Sequence, residues 1–113
     1  MKNYYVRTDL KNLKNLEDLN IGYNLIKDIS VLKDLKNLKF LSLSKNSITD
    51  ISVIKNFIQL EVLNINDLKL RSNQILYINF CKNLKELWSI NGFKKINILN
   101  QLINKNIKLH KSL

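Results

Sequence analysis

Apolar residues recur along this chain with a period that fits neither a single helix nor a single strand. Such a period predicts a repeat protein built from stacked units. The period lengthens once, before Leu84 and Leu87, which indicates two extra residues within "RSNQILYINF". Before that point four positions recur at one constant interval: Leu16, Leu38 and Leu60; Leu19, Leu41 and Leu63; Ile21, Leu43 and Ile65; Ile26, Ile48 and Leu70.

One unit, residues 16–37, reads "LEDLNIGYNLIKDISVLKDLKN". Polar and apolar residues alternate over residues 18–22, which predicts a short strand with one buried face. A turn follows, and Ser30 is placed to cap a short helical or 3₁₀ return whose Leu32 and Leu35 point back to the core. No unit buries its apolar side alone, so the units must stack.

The units at residues 16–37 and 38–59, the second reading "LKFLSLSKNSITDISVIKNFIQ", resemble the leucine-rich repeat family. The match is to the 22-residue type seen in internalins and in the leucine-rich regulatory subunit of protein phosphatase 1, and it covers residues 10 to about 90. The resemblance implies a curved solenoid with a parallel sheet on its concave face. It also implies protein binding, usually without catalysis. Val31 and Val53 depart from it, standing where internalins commonly carry proline.

We therefore predict an α/β fold, a leucine-rich repeat solenoid of about four repeats. Residues 1–15 would form a partial repeat, residues 16–95 the repeats, and residues 96–113 a C-terminal capping helix. Apolar residues at helical spacing in the tail, from Ile96 to Ile103, favour an amphipathic helix that covers the last repeat. A basic membrane-surface helix is the alternative, but it lacks the large aromatic side chains such helices favour.

Asn24 and Asn46 each follow the last strand leucine or isoleucine by three positions, where the chain turns sharply. An inward amide offers both a donor and acceptors to the backbone of such a turn, so we expect these asparagines to be structural rather than ligand-binding. Leu68 interrupts this ladder in the third unit. Two further rows are expected to stack between repeats: Asn15, Asn37, Gln59 and Asn83, and, with alternating charge, Glu17, Lys39, Glu61 and Lys85.

The open face of the sheet is the expected partner-binding surface. Phe40, Val62 and Trp88 are large apolar residues at strand positions that should face solvent, and such groups often mark a contact site. The alternative for Trp88 is that the C-terminal segment folds over it and makes it core. The polar residues predicted to surround them on this face are Asn20, Ser42 and Asn64.

The net charge of +10 suggests a second kind of partner. Lys11, Lys33 and Lys55 form one row on the predicted convex side, where nucleic acid or another acidic partner could bind. A solvated ridge is the other interpretation, because no aromatic residues interleave with these lysines to stack on bases. Lysines outnumber arginines 17 to 2, which argues against bidentate phosphate recognition.

Catalytic chemistry is nearly absent from the sequence. The single histidine, His110, lies close to the end of the chain, and Cys81 aligns with core positions of the other units. No glycine-rich phosphate loop, metal-ligand cluster or nucleophile–base pair can be assembled. We expect no enzyme activity, no cofactor and no metal.

The sequence thus predicts a protein–protein interaction module, acting as an adaptor, an inhibitor or a regulatory subunit through its concave sheet. The alternatives are a basic surface for nucleic acid or another acidic partner, and a structural fragment of a longer repeat array. The N-terminal residues do not resemble a secretory signal, and no stretch approaches the length of a membrane span. We expect a cytoplasmic monomer that does not bind membranes.

Overall fold

The computed structural model describes residues 13–112, which form a single parallel sheet whose strands are joined by short helical returns. The strands are β1 Asp18–Asn20, β2 Phe40–Ser42, β3 Val62–Asn64, β4 Glu86–Trp88 and β5 Lys108–His110, in the spatial order β1-β2-β3-β4-β5. The returns are the 3₁₀ helices Ser30–Asp34, Ser52–Asn56, Ser72–Gln74 and Ile96–Gln101, with one α-helix, α1, at Ile75–Ile78. This is the predicted solenoid, and its fold class is confirmed.

The strand register follows the period of the sequence. Leu19 pairs with Leu41, and Leu41 pairs with Leu63, so each step along the sheet equals one repeat of the sequence. Leu63 then pairs with Leu87, which confirms the two extra residues before β4. Those residues fall in the longer return, where a 3₁₀ turn runs directly into α1. The central residue of every strand points to the core, because neighbouring side chains alternate between the two faces of a sheet.

The core is a stack of apolar side chains between the sheet and the helical returns. Leu41, Leu63 and Leu87 are fully buried at its centre. Leu19 and Leu109, in the first and last described strands, are only partly buried against it. Each repeat of a solenoid is covered by its neighbours on both sides, and the terminal strands have a described neighbour on one side only.

The first two 3₁₀ returns begin at an aspartate turn rather than at the expected serine cap. Asp28 Oδ1 accepts a hydrogen bond from the Ser30 N–H at 2.8 Å, and Asp50 Oδ1 accepts one from the Ser52 N–H at 2.7 Å. The backbone bond from Ser30, together with one from its hydroxyl, lowers the pKa of Asp28. The side chain of Ser30 caps no N–H of the helix, so that part of the prediction was wrong.

The predicted capping helix at residues 96–113 was also wrong. Residues Ile96–Gln101 form a 3₁₀ return, and Lys108–His110 add a fifth strand to the sheet. The Lys108 N–H donates to the Lys85 carbonyl at 2.9 Å, and the Ser89 N–H donates to the His110 carbonyl at 2.7 Å. The tail satisfies its backbone groups by repeating the fold, so five strands replace the expected four repeats. Of the predicted partial repeat at residues 1–15, residues 1–12 lie outside the described part of the chain.

The predicted asparagine ladder is present. Asn46 Nδ2 donates to the carbonyls of Ile21 and Leu43 at 2.9 and 3.0 Å, and its Oδ1 accepts from the Ile26 N–H at 3.0 Å. One side chain thus joins two successive turns of the solenoid. Asn24 is buried and donates in the same way to the Ile21 carbonyl.

The two stacked polar rows predicted from the sequence are also present. Asn37 Nδ2 donates to the Lys14 carbonyl at 2.7 Å, and Asn83 Nδ2 donates to the Ile58 carbonyl at 2.8 Å. In the charged row, Lys39 lies 3.5 Å from Glu17 and Lys85 lies 3.4 Å from Glu61. These ion pairs are exposed, so each adds at most a few tenths of a kcal/mol and helps chiefly to set the register.

Candidate functional site

The concave face presents two rows of side chains, one from the first and one from the third residue of each strand. Residues that pair across the sheet stand side by side in each row, because parallel strands lie about 4.8 Å apart. The first row is Asp18, Phe40, Val62, Glu86 and Lys108, and the second is Asn20, Ser42, Asn64, Trp88 and His110.

Phe40 and Val62 are the central residues of the first row. They pair directly across β2 and β3, and both are half-buried. The prediction that they are neighbours on the open face is therefore confirmed. They form an apolar centre with a carboxylate on either side, Asp18 before it and Glu86 after it. The repeat does not need apolar groups here, since the flanking strands carry charged residues at the same position.

The three polar residues predicted to contact a partner differ in how far their side chains are exposed. Asn20 is exposed, although its Oδ1 accepts the Gly22 N–H at 2.9 Å. Asn64 is half-buried and accepts the Asn66 N–H in the same way. Ser42 is only 4% exposed, and its Oγ lies 3.4 Å from the Ser44 Oγ. Ser42 is therefore buried rather than available to a partner, which corrects the prediction that it is a contact residue.

The C-terminal end of the concave face holds a cluster that the sequence did not predict. The Trp88 and His110 rings stack with centroids 3.5 Å apart and an angle of 4° between their planes. His110 Nε2 lies 2.6 Å from Glu86 Oε2. The C-terminal segment thus packs beside Trp88 without burying it, since Trp88 stays half-exposed.

The sequence did contain a signal for this cluster. Trp88 and His110 are separated by the same interval that relates Leu19 to Leu41, and so are Leu87 and Leu109. The helical spacing of apolar residues upstream hid the period, because a 3₁₀ return and an amphipathic helix both place apolar residues three and four apart.

Among residues 13–112, the positive charge lies mainly away from the concave face. Its two rows carry Asp18, Glu86 and Lys108, which nearly cancel in charge. Lys33 and Lys55 on the convex side are exposed, while Lys11 of the predicted ridge lies outside residues 13–112. Geometry thus separates the two candidate surfaces, one apolar and nearly neutral, the other basic.

Chemistry that would suggest catalysis is sparse in the described part of the chain. Cys81 is buried in the core, as predicted, and its Sγ lies 3.5 Å from the Ile54 carbonyl. Burial raises the pKa of this thiol to about 12, which makes it a poor nucleophile. Among residues 13–112, no group of three or more metal-ligating side chains comes together. In the same range no helix has the length and hydropathy needed to cross a bilayer.

A family model described as "Leucine Rich repeats (2 copies)" matches residues 36–72. Two solved structures from Listeria monocytogenes are similar to the whole fold. Internalin InlF is 37% identical over 90% of this chain with a TM-score of 0.77, and internalin C2 is 26% identical over 100% with a TM-score of 0.72. The match spans 30% of the first of those chains and 51% of the second. No match was found among curated protein sequences.

Proposed function

From the premise that this chain is a leucine-rich repeat solenoid resembling the internalins, we propose that it binds another protein through its concave sheet. The binding surface is centred on Phe40 and Val62 and extends to Trp88, with Asn20 and Asn64 as polar contacts. In such a complex the module acts as an adaptor, an inhibitor or a regulatory subunit, and it performs no reaction itself.

One observation carries the proposal: the apolar pair of Phe40 and Val62 lies on the open face of the sheet, beside residues that are mostly polar. Both side chains remain half-exposed, although the fold has a core in which other large apolar residues are fully buried. An aromatic group at the centre of a surface, with polar groups around it, is the usual arrangement of an interface hot spot. Asp18 and Glu86 flank the pair in its own row, and Asn20 and Asn64 lie in the next row, so these residues supply that polar rim.

The concave face also has features that suit a protein rather than a nucleic acid. Within residues 13–112, Asp18, Glu86 and Lys108 nearly cancel in charge, so the two described rows offer no surplus of cations for a phosphate backbone. Its strands are tied by backbone bonds and asparagine side chains, so the surface is rigid before a partner arrives. A rigid surface loses little conformational entropy on binding.

The convex face is the second candidate, for an acidic partner. The exposed lysines Lys33 and Lys55 support it, and so do Leu76 and Phe80, which are 54% and 49% exposed at the helical return of the next repeat. Binding there would be mainly electrostatic and would weaken steeply with salt.

The test is a capture experiment in the native host, comparing the wild-type protein with Phe40→Ala and with the double variant Lys33→Ala/Lys55→Ala. We expect the wild type and the lysine variant to retain the same partner and Phe40→Ala to lose it. Retention by Phe40→Ala, with loss in the lysine variant, would move the site to the convex face. Circular dichroism and melting curves of all three proteins check that each is folded.

A further inference from the structure

Three exposed apolar side chains lie together on the convex side, at the last two helical returns. Leu76 and Phe80 are four residues apart on the α1 turn, so they share one face of it, and they are 54% and 49% exposed. Asn79, on the same turn, accepts a hydrogen bond at its Oδ1 from the Ile103 N–H at 3.0 Å. Ile103 is 78% exposed and therefore stands beside this turn. We call Leu76, Phe80 and Ile103 the convex apolar patch.

A groove of about 290 Å³ opens beside the convex apolar patch. Its walls are mainly apolar and include the buried Ile78 and Ile107. Ile103 and Lys82 also line it, and both are exposed. Large exposed apolar side chains next to an apolar groove form the kind of surface that marks an interaction site.

The surface around the convex apolar patch is basic. Lys82 lines the groove, and Lys105 lies in the loop that follows the last return; both are exposed. Glu86 is the only acidic residue after Asp67 in the sequence, and it lies on the concave face against His110. In the described part of the chain, the last two returns therefore present cations and no acidic side chain to the convex side.

We propose that this convex surface docks on a lipid bilayer that contains anionic lipids. Leu76, Phe80 and Ile103 enter the boundary between the headgroups and the acyl chains, and Lys82 and Lys105 contact the anionic headgroups. Apolar burial and electrostatic attraction add to each other at such a boundary, so neither has to be strong alone. The concave sheet lies on the other side of the core, so a docked molecule keeps its proposed protein-binding face open.

Two observations favour a bilayer over a partner of fixed shape. The patch lies on the convex side of the solenoid, and a fluid bilayer adapts to a convex surface, whereas a folded protein needs a surface of matching shape. A second copy of the chain is disfavoured, because both copies carry the net charge of +10 and repel each other. An acidic protein is the competing partner.

The sequence analysis expected no membrane binding because it considered only one amphipathic helix in the tail. The residues of the convex apolar patch come from two returns that are separated in the sequence. Only the stacking of those returns brings Ile103 next to Leu76 and Phe80.

Cosedimentation with lipid vesicles measures the docking directly. The vesicles contain phosphatidylcholine alone, or phosphatidylcholine with about 30% phosphatidylserine, at ~100 mM salt. We expect the wild-type protein to partition onto the anionic vesicles at least about tenfold more strongly than onto the neutral ones, because several lysines lie near the surface. Equal partitioning onto both, or no binding to the anionic vesicles, would overturn the proposal.

Two double variants test the two halves of the surface. Phe80→Ser/Ile103→Ser keeps the charge and should weaken binding to the anionic vesicles by about tenfold or more, because two apolar groups no longer enter the bilayer. Lys82→Gln/Lys105→Gln keeps the apolar groups and should weaken it by a similar factor of about ten. Circular dichroism checks that both variants are folded.

The matched controls lie in the first repeat. Leu25→Ser changes another apolar residue that is 63% exposed, and Lys27→Gln/Lys36→Gln removes the same net charge from two exposed lysines. Both should bind the anionic vesicles within about threefold of the wild type, because salt screens charges that do not approach the headgroups. Losses equal to those of the patch variants would show a general effect of charge or apolar surface and would overturn the assigned site.

The orientation of the docked molecule is tested with lipids that carry brominated acyl chains, which quench nearby indoles. Trp88 is the only tryptophan and lies on the concave face, so its emission should stay unquenched on binding. Phe80→Trp adds an indole to the convex apolar patch, and its emission should be quenched. Quenching of Trp88, with none added in Phe80→Trp, would overturn the assigned face.

A column of immobilised polyglutamate represents the competing acidic protein. Retention there that both patch variants lose, without binding to vesicles, would assign the surface to an acidic protein and overturn membrane docking. Phe40→Ala should bind the anionic vesicles like the wild type, because Phe40 lies on the concave face. Failure of vesicle binding therefore leaves the proposed concave site untouched, and failure of the concave site leaves membrane docking untouched.

Discussion

At the scale of single residues, asparagine side chains form hydrogen bonds that join successive turns of the solenoid. In an ordinary sheet, pairing between backbone groups supplies such bonds. Asn46 joins two turns of the solenoid through both its amide nitrogen and its amide oxygen. In the third unit Leu68 takes the corresponding position and is buried without such bonds to offer. Asn66, two residues earlier, bridges to the next repeat instead, since its Oδ1 accepts the Ile90 N–H at 2.8 Å. Asparagine thus still bridges successive repeats here, but from a position two residues earlier in the unit.

Removing the Asn46 amide should therefore cost more stability than removing an exposed asparagine. We expect Asn46→Ala to lower the free energy of unfolding by about 2–4 kcal/mol, because it removes the side-chain partner of the Ile26 N–H and of the Leu43 carbonyl, both partly buried. Asn73→Ala, in a 3₁₀ return and away from this ladder, should change it by less than about 0.5 kcal/mol. Urea unfolding followed by circular dichroism measures both. Equal effects would count against the bridging role.

The buried thiol of Cys81 should be inert in the folded protein. Reactivity needs the thiolate, and a pKa of about 12 leaves almost none near neutral pH. The side chain is also only 2% exposed, so a reagent cannot reach it. We expect a colorimetric thiol reagent to label the native protein only as fast as it unfolds, and to label it at once in urea. Rapid labelling without denaturant would contradict the assigned core position.

At the scale of the repeat element, the turn after each of the first four strands contains a residue with a left-handed backbone. Tyr23, Lys45, Asp67 and Asn91 occupy this position, with φ between 54° and 63°. Few residue types adopt this conformation without strain, and asparagine is among those that tolerate it best. Asp67 and Asn91 suit this geometry, whereas Tyr23 and Lys45 adopt a conformation that their side chains do not favour.

Lys69, in the turn after β3, offers a clean test of this strain, with φ of 53°. Lys69→Asn should raise the free energy of unfolding by about 0.5–1 kcal/mol, and Lys69→Val should lower it by about 1 kcal/mol or more. Lys94→Asn is the matched control, at an exposed lysine without a left-handed backbone. If both asparagine variants shift the melting temperature equally, the turn conformation is not the cause.

Much of each element could be predicted from the sequence. The interval between Leu19, Leu41 and Leu63 is set by how many residues one turn of the solenoid needs, so pairing and register follow from it. The cap at Asp28 was missed because aspartate and serine both suit that turn chemically. The tail was misread because its apolar spacing fits two structures, and only the pairing of Leu87 with Leu109 distinguishes them.

The candidate site was less predictable than the fold. Which face Phe40 and Val62 occupy follows from strand alternation, so their position was correct. The burial of Ser42 depends on the sizes of its neighbours in three dimensions, which a period does not reveal. The contact between His110 and Glu86 depends on a strand that the tail was not expected to form.

At the scale of the whole molecule, stability should depend on the end repeats because each unit is covered only by its neighbours. Deleting residues 96–113 removes β5 and its return, and it uncovers Leu87, which is fully buried in the intact chain. We expect the melting temperature to fall by on the order of 10 °C or more, with aggregation through the bare edge of β4.

Deleting only residues 111–113 is the control for that truncation. It keeps all of β5, so it should leave the melting temperature close to that of the intact chain. Differential scanning calorimetry and size-exclusion chromatography measure the two outcomes. A 96–113 deletion that stays monomeric and melts like the intact chain would show that the fifth strand does not cover the fourth.

At the scale of the whole molecule, the distribution of charge also distinguishes the concave face from the convex face. Among residues 13–112, lysines such as Lys33 and Lys55 are exposed on the convex side, whereas Asp18, Glu86 and Lys108 nearly cancel in charge on the concave face. The affinity of a partner on the concave face should therefore depend little on salt concentration. The affinity of a partner held by the convex lysines should fall steeply as salt is added. Salt dependence and mutation thus test the same claim independently.

The most direct test of the concave site is the affinity of the captured partner, measured by titration calorimetry for the wild type, Phe40→Ala and Lys33→Ala/Lys55→Ala. At ~50 and ~200 mM salt, we expect similar wild-type affinity, because the contact is apolar. We expect Phe40→Ala to weaken binding by about 1–3 kcal/mol, roughly 5- to 150-fold, with little loss of folding stability, and the lysine variant to bind nearly normally. Normal binding by Phe40→Ala, together with loss in the lysine variant and a steep fall with salt, would contradict the account.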